Sequence, residues 1–348
     1  MQSGGRSTDA AGRRGEPRCW LVQRTATGDV SAGLAALGWN PADVPAADEA
    51  VVEIEAAGFN YKDALACSGH PGVMRGSRLV PGIDCAGTLL HSAAGLPAGT
   101  AVVATGNGLG EVRDGGFATH VRVPLAAVIP RPASLDARAA MALGTAGLTA
   151  LLACDRLATL VDSRHAKPDE GWLVTGASGG VGMLAVAVLA EAGRRVVASS
   201  RKPAAREPLL ALGAATVAAP GELVDPSGKS LASGRWAGVV DTVGGPLLAD
   251  VLRSVRLGGA VAAIGMAGGA DLHTTVHPFI LRGVTLAGID AASLPTPAER
   301  RGLWERLARL WPRVRAAFPV TALGLEDVGG WAERMLAGNT LGRGVVIP

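Results

Sequence analysis

The sequence predicts an α/β protein with two domains, one rich in β-strands and one built on a doubly wound parallel sheet. Its 348 residues are enough for two sizeable cores. In residues 19–123 the apolar runs are short and are broken by Gly and Pro, which is typical of β-strands. From residue 172 onward, short apolar runs alternate with helical stretches, and this alternation indicates successive βα units.

The first part of the chain contains five candidate strands. Residues 1–17, which precede them, are rich in Gly, Arg, Ser and Ala without an apolar run, so we expect a disordered extension and not a secretory signal. In residues 50–55 apolar and acidic residues alternate, as in a strand with one face in water. The five candidate strands are residues 19–23, 50–55, 87–90, 100–104 and 119–123.

A helix is predicted between the two halves of the chain. Residues 136–157 are rich in Ala and Leu, with Ser134 or Asp136 as the candidate N-cap and an interruption at residues 144–147. Residues 161–170 then form a polar connection that contains Pro.

A glycine-rich turn follows the first strand of the second half. The short apolar run 172–175 leads into residues 176–182 (Gly-Ala-Ser-Gly-Gly-Val-Gly) and then into the apolar run 183–190. This order predicts a strand, a tight turn and a buried helix. The spacing G-x-x-G-x-x-G departs from the commoner G-x-G-x-x-G, so the turn alone is a weak match and its context carries the prediction.

Each glycine of the turn has a physical reason. Gly176 lets the chain turn sharply, Gly179 and Gly180 let backbone N–H groups approach a pyrophosphate, and Gly182 lets helix and strand pack closely. The helix N-terminus adds unpaired N–H donors and the positive end of the helix dipole. The turn therefore predicts dinucleotide binding, with contacts from Ser178, Gly179, Gly180 and Val181.

The remaining βα units place this turn in a sheet. Strands are predicted at residues 195–199, 238–241, 260–264 and 284–289, and helices up to 213 and at 247–255 and 296–314. Such alternation implies a parallel, doubly wound sheet, with the dinucleotide in the crevice at the carboxyl ends of its strands.

The end of the second strand indicates which dinucleotide binds. An NAD site normally carries an acidic residue there for the ribose 2′-hydroxyl, whereas this chain has Ser200, Arg201 and Lys202. A hydroxyl and two cations suit a 2′-phosphate, so NADPH is the predicted cofactor. The alternative is that Arg201 and Lys202 are only solvated residues at a strand end.

Composition excludes several other classes of function. The formal net charge is only +3 and no basic run interleaved with aromatic residues appears, so we expect no nucleic-acid partner. The four cysteines have no C-x-x-C spacing, which argues against a disulfide framework or structural zinc and favours an intracellular compartment. The apolar run from Val181 stops at Glu191, too short to cross a membrane.

Six segments resemble one known family. They are residues 59–65 (FNYKDAL), 79–87 (LVPGIDCAG), 141–149 (MALGTAGLT), 174–182 (VTGASGGVG), 236–245 (WAGVVDTVGG) and 278–284 (PFILRGV). In these segments the chain resembles the zinc-independent medium-chain dehydrogenase/reductases of the quinone-oxidoreductase group, most closely the acryloyl-CoA reductase subgroup.

The resemblance implies an architecture. It places a GroES-like, β-rich catalytic domain at residues 18–144 and 296–348, and a Rossmann NADPH-binding domain at residues 145–295, with a cleft between them. It also implies a homodimer that acts on a small molecule, and from the cysteine pattern we expect this protein to be cytoplasmic.

The resemblance further implies NADPH-dependent reduction of a carbon–carbon double bond conjugated to a carbonyl, most closely in acryloyl-CoA or a similar short enoyl thioester. Hydride would attack the β-carbon, so the site must stabilise an enolate and protonate the α-carbon. Tyr61, the only tyrosine, would donate to the enolate, pack on the nicotinamide or merely shape the pocket. Asn60 would orient a carbonyl or a ribose hydroxyl, or bond to local backbone as a turn residue.

Other positions match segments that contact the cofactor in this family. Thr145 and Thr149 would offer hydroxyls, and Ile264 and Ile280 would form apolar walls beside the nicotinamide. Asn339 is a candidate contact on the nicotinamide side. Arg343 would bind cofactor or pair with Asp84.

No metal is expected. Zinc-dependent relatives carry Gly-His-Glu where this chain has Gly82, Ile83 and Asp84, and their lobe of four close cysteines is absent from this sequence. The six histidines also lack ligand spacing.

Two other functions remain open at this point. A quinone or alkenal/one reductase would use the same hydride chemistry on the same scaffold. A non-catalytic NADPH-binding protein is the alternative of a different class.

Overall fold

The computed structural model describes residues 16–165, 167, 169–291 and 296–348. The extension predicted for residues 1–17 therefore lies mostly outside the described residues. The strands are β1 (Arg18–Arg24), β2 (Val30–Ala36), β3 (Glu49–Phe59), β4 (Arg78–Leu79), β5 (Asp84–Leu89), β6 (Ala101–Thr105), β7 (His120–Pro124), β8 (Val128–Pro130), β9 (Gly171–Val174), β10 (Arg195–Ser199), β11 (Thr216–Ala218), β12 (Trp236–Asp241), β13 (Val255–Ala263), β14 (Thr285–Gly288), β15 (Val320–Leu323) and β16 (Arg343–Val346). The α-helices are α1 (Tyr61–Cys67), α2 (Ala137–Leu160), α3 (Gly180–Glu191), α4 (Arg206–Ala211), α5 (Gly245–Arg253), α6 (His277–Arg282), α7 (Pro297–Val314) and α8 (Val328–Leu336).

The second half of the chain forms a six-stranded sheet in the order β11-β10-β9-β12-β13-β14. All five strand pairs are parallel. Numbered from its first strand, the order is 3-2-1-4-5-6, that of a Rossmann fold. Both faces are covered: Trp172 and Val174 pack in one core with α2 and α3, whereas Leu173 packs with α5 in another. The predicted doubly wound parallel sheet is confirmed.

The β-rich part forms two sheets. One has the order β15-β16-β3-β5-β6-β8, with β7 also paired to β3, and the smaller one has the order β2-β1-β4. Strand β16 runs antiparallel to β3, with Val345 opposite Gly58. The last strand of the chain, which begins at Arg343, therefore joins a sheet made mostly from the first 130 residues.

Helix α2 connects the two parts. Asp136 caps it, because its Oδ1 accepts from the backbone N–H of Ala139 at 2.7 Å. At Gly144 the backbone leaves the helical region, with φ 47° and ψ −151°, as the sequence predicts for this stretch. Within the described residues α2 is the one helix long and apolar enough to cross a membrane, but 83% of its most apolar window is buried in the protein, as expected for a core helix.

Candidate active site

The glycine turn lies between β9 and α3, beside the point where the strand order reverses. Gly176 has a φ of +58°, and a Cβ there would overlap the Thr242 hydroxyl oxygen. A Cβ at Gly182 would lie 2.6 Å from Ala177 Cα. These two positions therefore require glycine for the reasons that the sequence predicts, a sharp turn and close packing.

The two central glycines differ from each other. A Cβ at Gly179 would meet only the Gly176 carbonyl oxygen, at 3.6 Å, so the turn is open at that position. A Cβ at Gly180 would instead overlap Arg343 Cδ. The missing side chain of Gly180 thus accommodates an arginine from the far end of the chain, a reason that local sequence did not reveal.

The turn fits a pyrophosphate. Helix α3 has 12 residues, begins at Gly180 and has no side-chain cap at its N-terminus within the described part of the chain. Its first N–H groups and the positive end of its dipole face the open position at Gly179. A dinucleotide phosphate would supply the acceptors that these N–H groups require.

The end of β10 carries the residues predicted to hold a 2′-phosphate. The Ser200 hydroxyl accepts from the Lys202 backbone N–H at 3.0 Å, which turns the chain there. The Lys202 ammonium donates to the Thr340 carbonyl oxygen, and burial, with a smaller effect of Arg201, lowers the pKa of this lysine. Arg201 is exposed. The hydroxyl and two cations are thus close together and suit a 2′-phosphate.

Asp84 is the centre of the polar groups beside the turn. It is fully buried and accepts from Asn60 Nδ2 at 2.9 Å, from the Thr145 backbone N–H at 2.9 Å and from Thr145 Oγ1 at 2.5 Å. Arg343 Nη2 lies 3.4 Å from the same carboxylate. One buried carboxylate therefore joins β5, the start of α1, α2 and β16.

Arg343 balances the charge of Asp84. Only 3% of it is exposed, so the pair is buried on both sides. Its Nη1 donates to Asn60 Oδ1 at 2.7 Å and to the Phe59 carbonyl at 2.8 Å, and its Nε donates to the Ala142 carbonyl at 3.2 Å. The planar guanidinium thus contacts the chain just before α1 and the first part of α2, ahead of Gly144, at the same time.

Asn60 has its side-chain amide engaged within the protein. Its Nδ2 faces Asp84 at 2.9 Å and Asp63 Oδ2 at 3.2 Å, and its Oδ1 accepts from Arg343. Asp63 also accepts from the backbone N–H groups of Asn60 and Ile83, at 2.8 and 2.9 Å. Burial raises the pKa of Asp63 to about 7, with a smaller effect of Asp84. Asn60 is thus held in one orientation at the N-terminus of α1.

Tyr61 differs from its neighbours because its hydroxyl makes no hydrogen bond with any part of the chain that the structure describes. It is the first residue of α1 and is 36% exposed. The next residue, Lys62, pairs with Glu111 at 2.9 Å. Among the groups at the start of α1, the tyrosine hydroxyl is therefore available to a ligand.

The other predicted residues are distributed differently. Thr149 is buried, and its hydroxyl donates to the Thr145 carbonyl at 2.6 Å. Ile264 follows β13 directly, whereas Ile280 on α6 is 73% exposed. Asn339 is exposed, between two residues that contact the end of β10: Gly338 lies beside Arg201 and Thr340 beside Lys202.

Comparison with known proteins places this geometry in a family. Residues 46–133 match the family described as "Alcohol dehydrogenase GroES-like domain", and residues 180–309 match "Zinc-binding dehydrogenase". Acrylyl-CoA reductase AcuI of Ruegeria pomeroyi is 42% identical over 300 residues, which are 86% of this chain and 89% of that protein. The chain belongs to the zinc-independent medium-chain dehydrogenase/reductases. The family resemblance and the GroES-like and Rossmann architecture predicted from sequence are confirmed.

Two solved structures of this family are similar over nearly the whole chain. The YhdH oxidoreductase of Salmonella enterica, in complex with NADP, has a TM-score of 0.85 at 37% identity and covers 95% of this chain and 99% of its own. The YhfP protein of Bacillus subtilis, with NAD bound, has a TM-score of 0.84 at 35% identity and covers 95% of this chain and 99% of its own. By sequence, YhfP is described as a putative quinone oxidoreductase and is 38% identical over 302 residues, 86% of this chain and 90% of that protein.

The described residues contain no cluster of side chains that could bind a metal ion. No group of three or more His, Cys, Asp or Glu side chains is arranged around a common point in residues 16–165, 167, 169–291 and 296–348. All four cysteines are free and buried, and burial raises the pKa of Cys85 and of Cys154 to about 12. Those two thiols therefore stay protonated at neutral pH.

Sequence reasoning missed a second polar network next to the turn. Thr175 Oγ1 donates to Asp241 Oδ1 at 2.6 Å, and the Thr242 backbone N–H donates to Thr175 Oγ1 at 3.1 Å. Asp241 also accepts from the Gly244 N–H at 2.8 Å. This network fixes the ends of β9 and β12 on both sides of the cofactor crevice. An aspartate at the end of an otherwise apolar strand was its signal in the sequence.

Proposed function

We propose that this chain is an NADPH-dependent reductase that transfers hydride to the β-carbon of a short enoyl thioester such as acryloyl-CoA. The observation that carries the proposal is the Tyr61 hydroxyl, which is unpartnered among the described residues and directly follows Asn60, the residue held by the Asp84–Arg343 pair. The similarity to AcuI supports the substrate class, because that relative is named an acrylyl-CoA reductase.

The chemistry follows from this arrangement. When bound, NADPH supplies a hydride, which adds to the β-carbon while the π electrons move to the carbonyl oxygen as an enolate. Tyr61 donates a hydrogen bond to that oxygen as its charge develops. Asn60 holds α1 in place through Asp84 and Arg343. The α-carbon then takes a proton, from Tyr61 or from water, and the products are the saturated thioester and NADP⁺.

We further propose how the cofactor is held. Ser178, Gly179, Gly180 and Val181 bind its pyrophosphate, and Ser200, Arg201 and Lys202 bind the 2′-phosphate. The remaining proposed contacts are Thr145, Thr149, Ile264, Ile280, Asn339 and Arg343. Thr149 and Arg343 have the least structural support of this set, because both are buried and their polar groups already contact the Thr145 carbonyl and the Asn60 and Asp84 side chains. The NADP in the YhdH structure supports the choice of NADPH.

The proposed division of the chain follows from the same site. Residues 18–144 and 296–348 supply Tyr61 and Arg343, and residues 145–295 supply the glycine turn. The antiparallel pairing of β16 with β3 supports this division. We also propose a cytoplasmic homodimer: Ile280 and Leu281 of α6 are 73% and 59% exposed next to β14, which is the edge strand of its sheet.

Steady-state kinetics test the proposed activity. Acryloyl-CoA and 1,4-benzoquinone are compared, each with NADPH and with NADH, and formation of propionyl-CoA is followed by mass. We expect kcat/KM to be highest for acryloyl-CoA with NADPH. Turnover of the quinone without any thioester reduction would favour the quinone reductase, which the description of YhfP supports. NADPH binding without turnover of either substrate would favour a non-catalytic role.

A further inference from the structure

One short stretch of chain contacts the end of β10, the glycine turn and Asn60. Residues 338–343, which we call the C-terminal segment, follow α8 and lead into β16. At one end the Arg201 guanidinium lies close over Gly338, where an added Cβ would be 2.9 Å from its Nη2. Lys202 donates to the Thr340 carbonyl two residues later. The segment thus begins at the residues that would bind a 2′-phosphate.

The same segment then passes the glycine turn. The backbone N–H of Gly342 donates to the Ser178 carbonyl at 3.0 Å, and Gly342 forms a parallel bridge with Gly179. Gly342 has a φ of +66°, and a Cβ there would overlap the Pro319 carbonyl oxygen, so this part of the segment is confined. Gly342 is therefore a fixed point between the residues that would bind a 2′-phosphate and Arg343.

The segment ends at the residues that orient α1. Arg343 lies with its stem on Gly180 and its guanidinium on Asn60 and Asp84. Asn60 precedes Tyr61 and is the N-cap of α1. A continuous path of contacts thus joins Lys202 to the tyrosine that would meet the substrate.

We propose that the C-terminal segment couples binding of the cofactor's 2′-phosphate to the orientation of Asn60 and Tyr61. The inference rests on the proposed NADPH-dependent function. The Lys202 ammonium has three N–H donors, so it can donate to the Thr340 carbonyl and to a 2′-phosphate together. A phosphate held in this way orders the segment, and with it Arg343. Lys202 is then a specificity-determining residue that acts on turnover as well as on cofactor affinity.

Hydrogen–deuterium exchange tests the coupling without any reaction. The protein is compared with saturating adenosine 2′,5′-bisphosphate and with saturating 5′-AMP, which differ only in the 2′-phosphate. We expect the bisphosphate to slow exchange at the Gly342 and Arg343 amides about 5-fold or more relative to AMP. Lys202→Met should abolish this difference. Arg206→Met, which removes an exposed cation whose guanidinium donates to the Val217 carbonyl at 3.4 Å, should retain it.

The kinetic consequence is measured on the same variants. At saturating cofactor, kcat with NADPH should exceed kcat with NADH in the parent protein, and the ratio should approach 1 in Lys202→Met. A change confined to the KM for NADPH would show that Lys202 only binds phosphate and would overturn the coupling. If calorimetry shows that the bisphosphate binds no more tightly than AMP, the proposed NADPH preference is wrong and the coupling fails with it. Tighter binding without protection of residues 342 and 343 overturns the coupling alone.

Discussion

The buried Asp84–Arg343 pair should dominate the response of the site to substitution. Asp84→Asn keeps the size of the side chain but removes the charge that balances Arg343, which is 3% exposed. Breaking a buried ion pair by removing one partner costs about 3–5 kcal/mol. Asp84 now accepts hydrogen bonds from Asn60 Nδ2 and from the Thr145 backbone N–H. In the variant, the amide NH₂ group is itself a donor and cannot accept either of them. We therefore expect the free energy of unfolding to fall by about 3–5 kcal/mol.

Urea unfolding at pH 7, followed by far-UV circular dichroism, measures this loss. Asp155→Asn is the matched control, because it also removes the carboxylate of an ion pair but at the surface. The side chain of Asp155 is 48% exposed, and that of its partner Arg306 is 38% exposed. An exposed pair contributes about 0.2–1 kcal/mol, so the control should lose no more than that. Equal losses of under 1 kcal/mol in both variants would refute the view that Asp84 is the structural centre of the site.

Three further predictions concern neighbouring residues. Tyr61→Phe should lower kcat with acryloyl-CoA about 100-fold while leaving Tm unchanged, and an unchanged kcat would exclude the hydroxyl as an enolate donor. Gly180→Ala should destabilise the protein by about 1–3 kcal/mol because its Cβ would overlap Arg343, whereas thermal unfolding of Gly302→Ala, in open space on α7, should show no loss. Because burial raises the pKa of Asp63 to about 7, the folded state binds a proton that the unfolded state has released above pH 4. The contribution of Asp63 to the free energy of unfolding should therefore decrease as the pH rises from 4 to 7. The urea midpoint of the parent protein should include this decrease, and the midpoint of Asp63→Asn should not.

Much of the fold could be predicted from local pattern. The strand-and-helix rhythm after residue 172 indicated a parallel sheet, and the glycine spacing placed the turn, because both depend on residues that are neighbours in sequence. The motif around Tyr61 and the basic residues after the second strand were also visible as short segments. The strand order and the family both confirm the architecture.

The arrangement of the site was less visible. From the sequence, Arg343 was predicted either to bind cofactor or to pair with Asp84. In the structure it pairs with Asp84, with 3.4 Å between Arg343 Nη2 and Asp84 Oδ2. It offered Asn60 as a donor to substrate, yet both ends of that amide already contact Asp84 and Arg343. These partners are 24 to 283 residues apart, and no short-range pattern encodes such separations.

The turn of residues 176–182 shows what the sequence determines by itself and what depends on the tertiary structure. By itself the sequence determined that a tight turn leads into a helix N-terminus there, because Gly176 and Gly182 act on their immediate neighbours. Only the tertiary structure decided why Gly180 has no side chain. Its space is filled by Arg343 from the last strand, and a contact across 163 residues exists only once both sheets have formed.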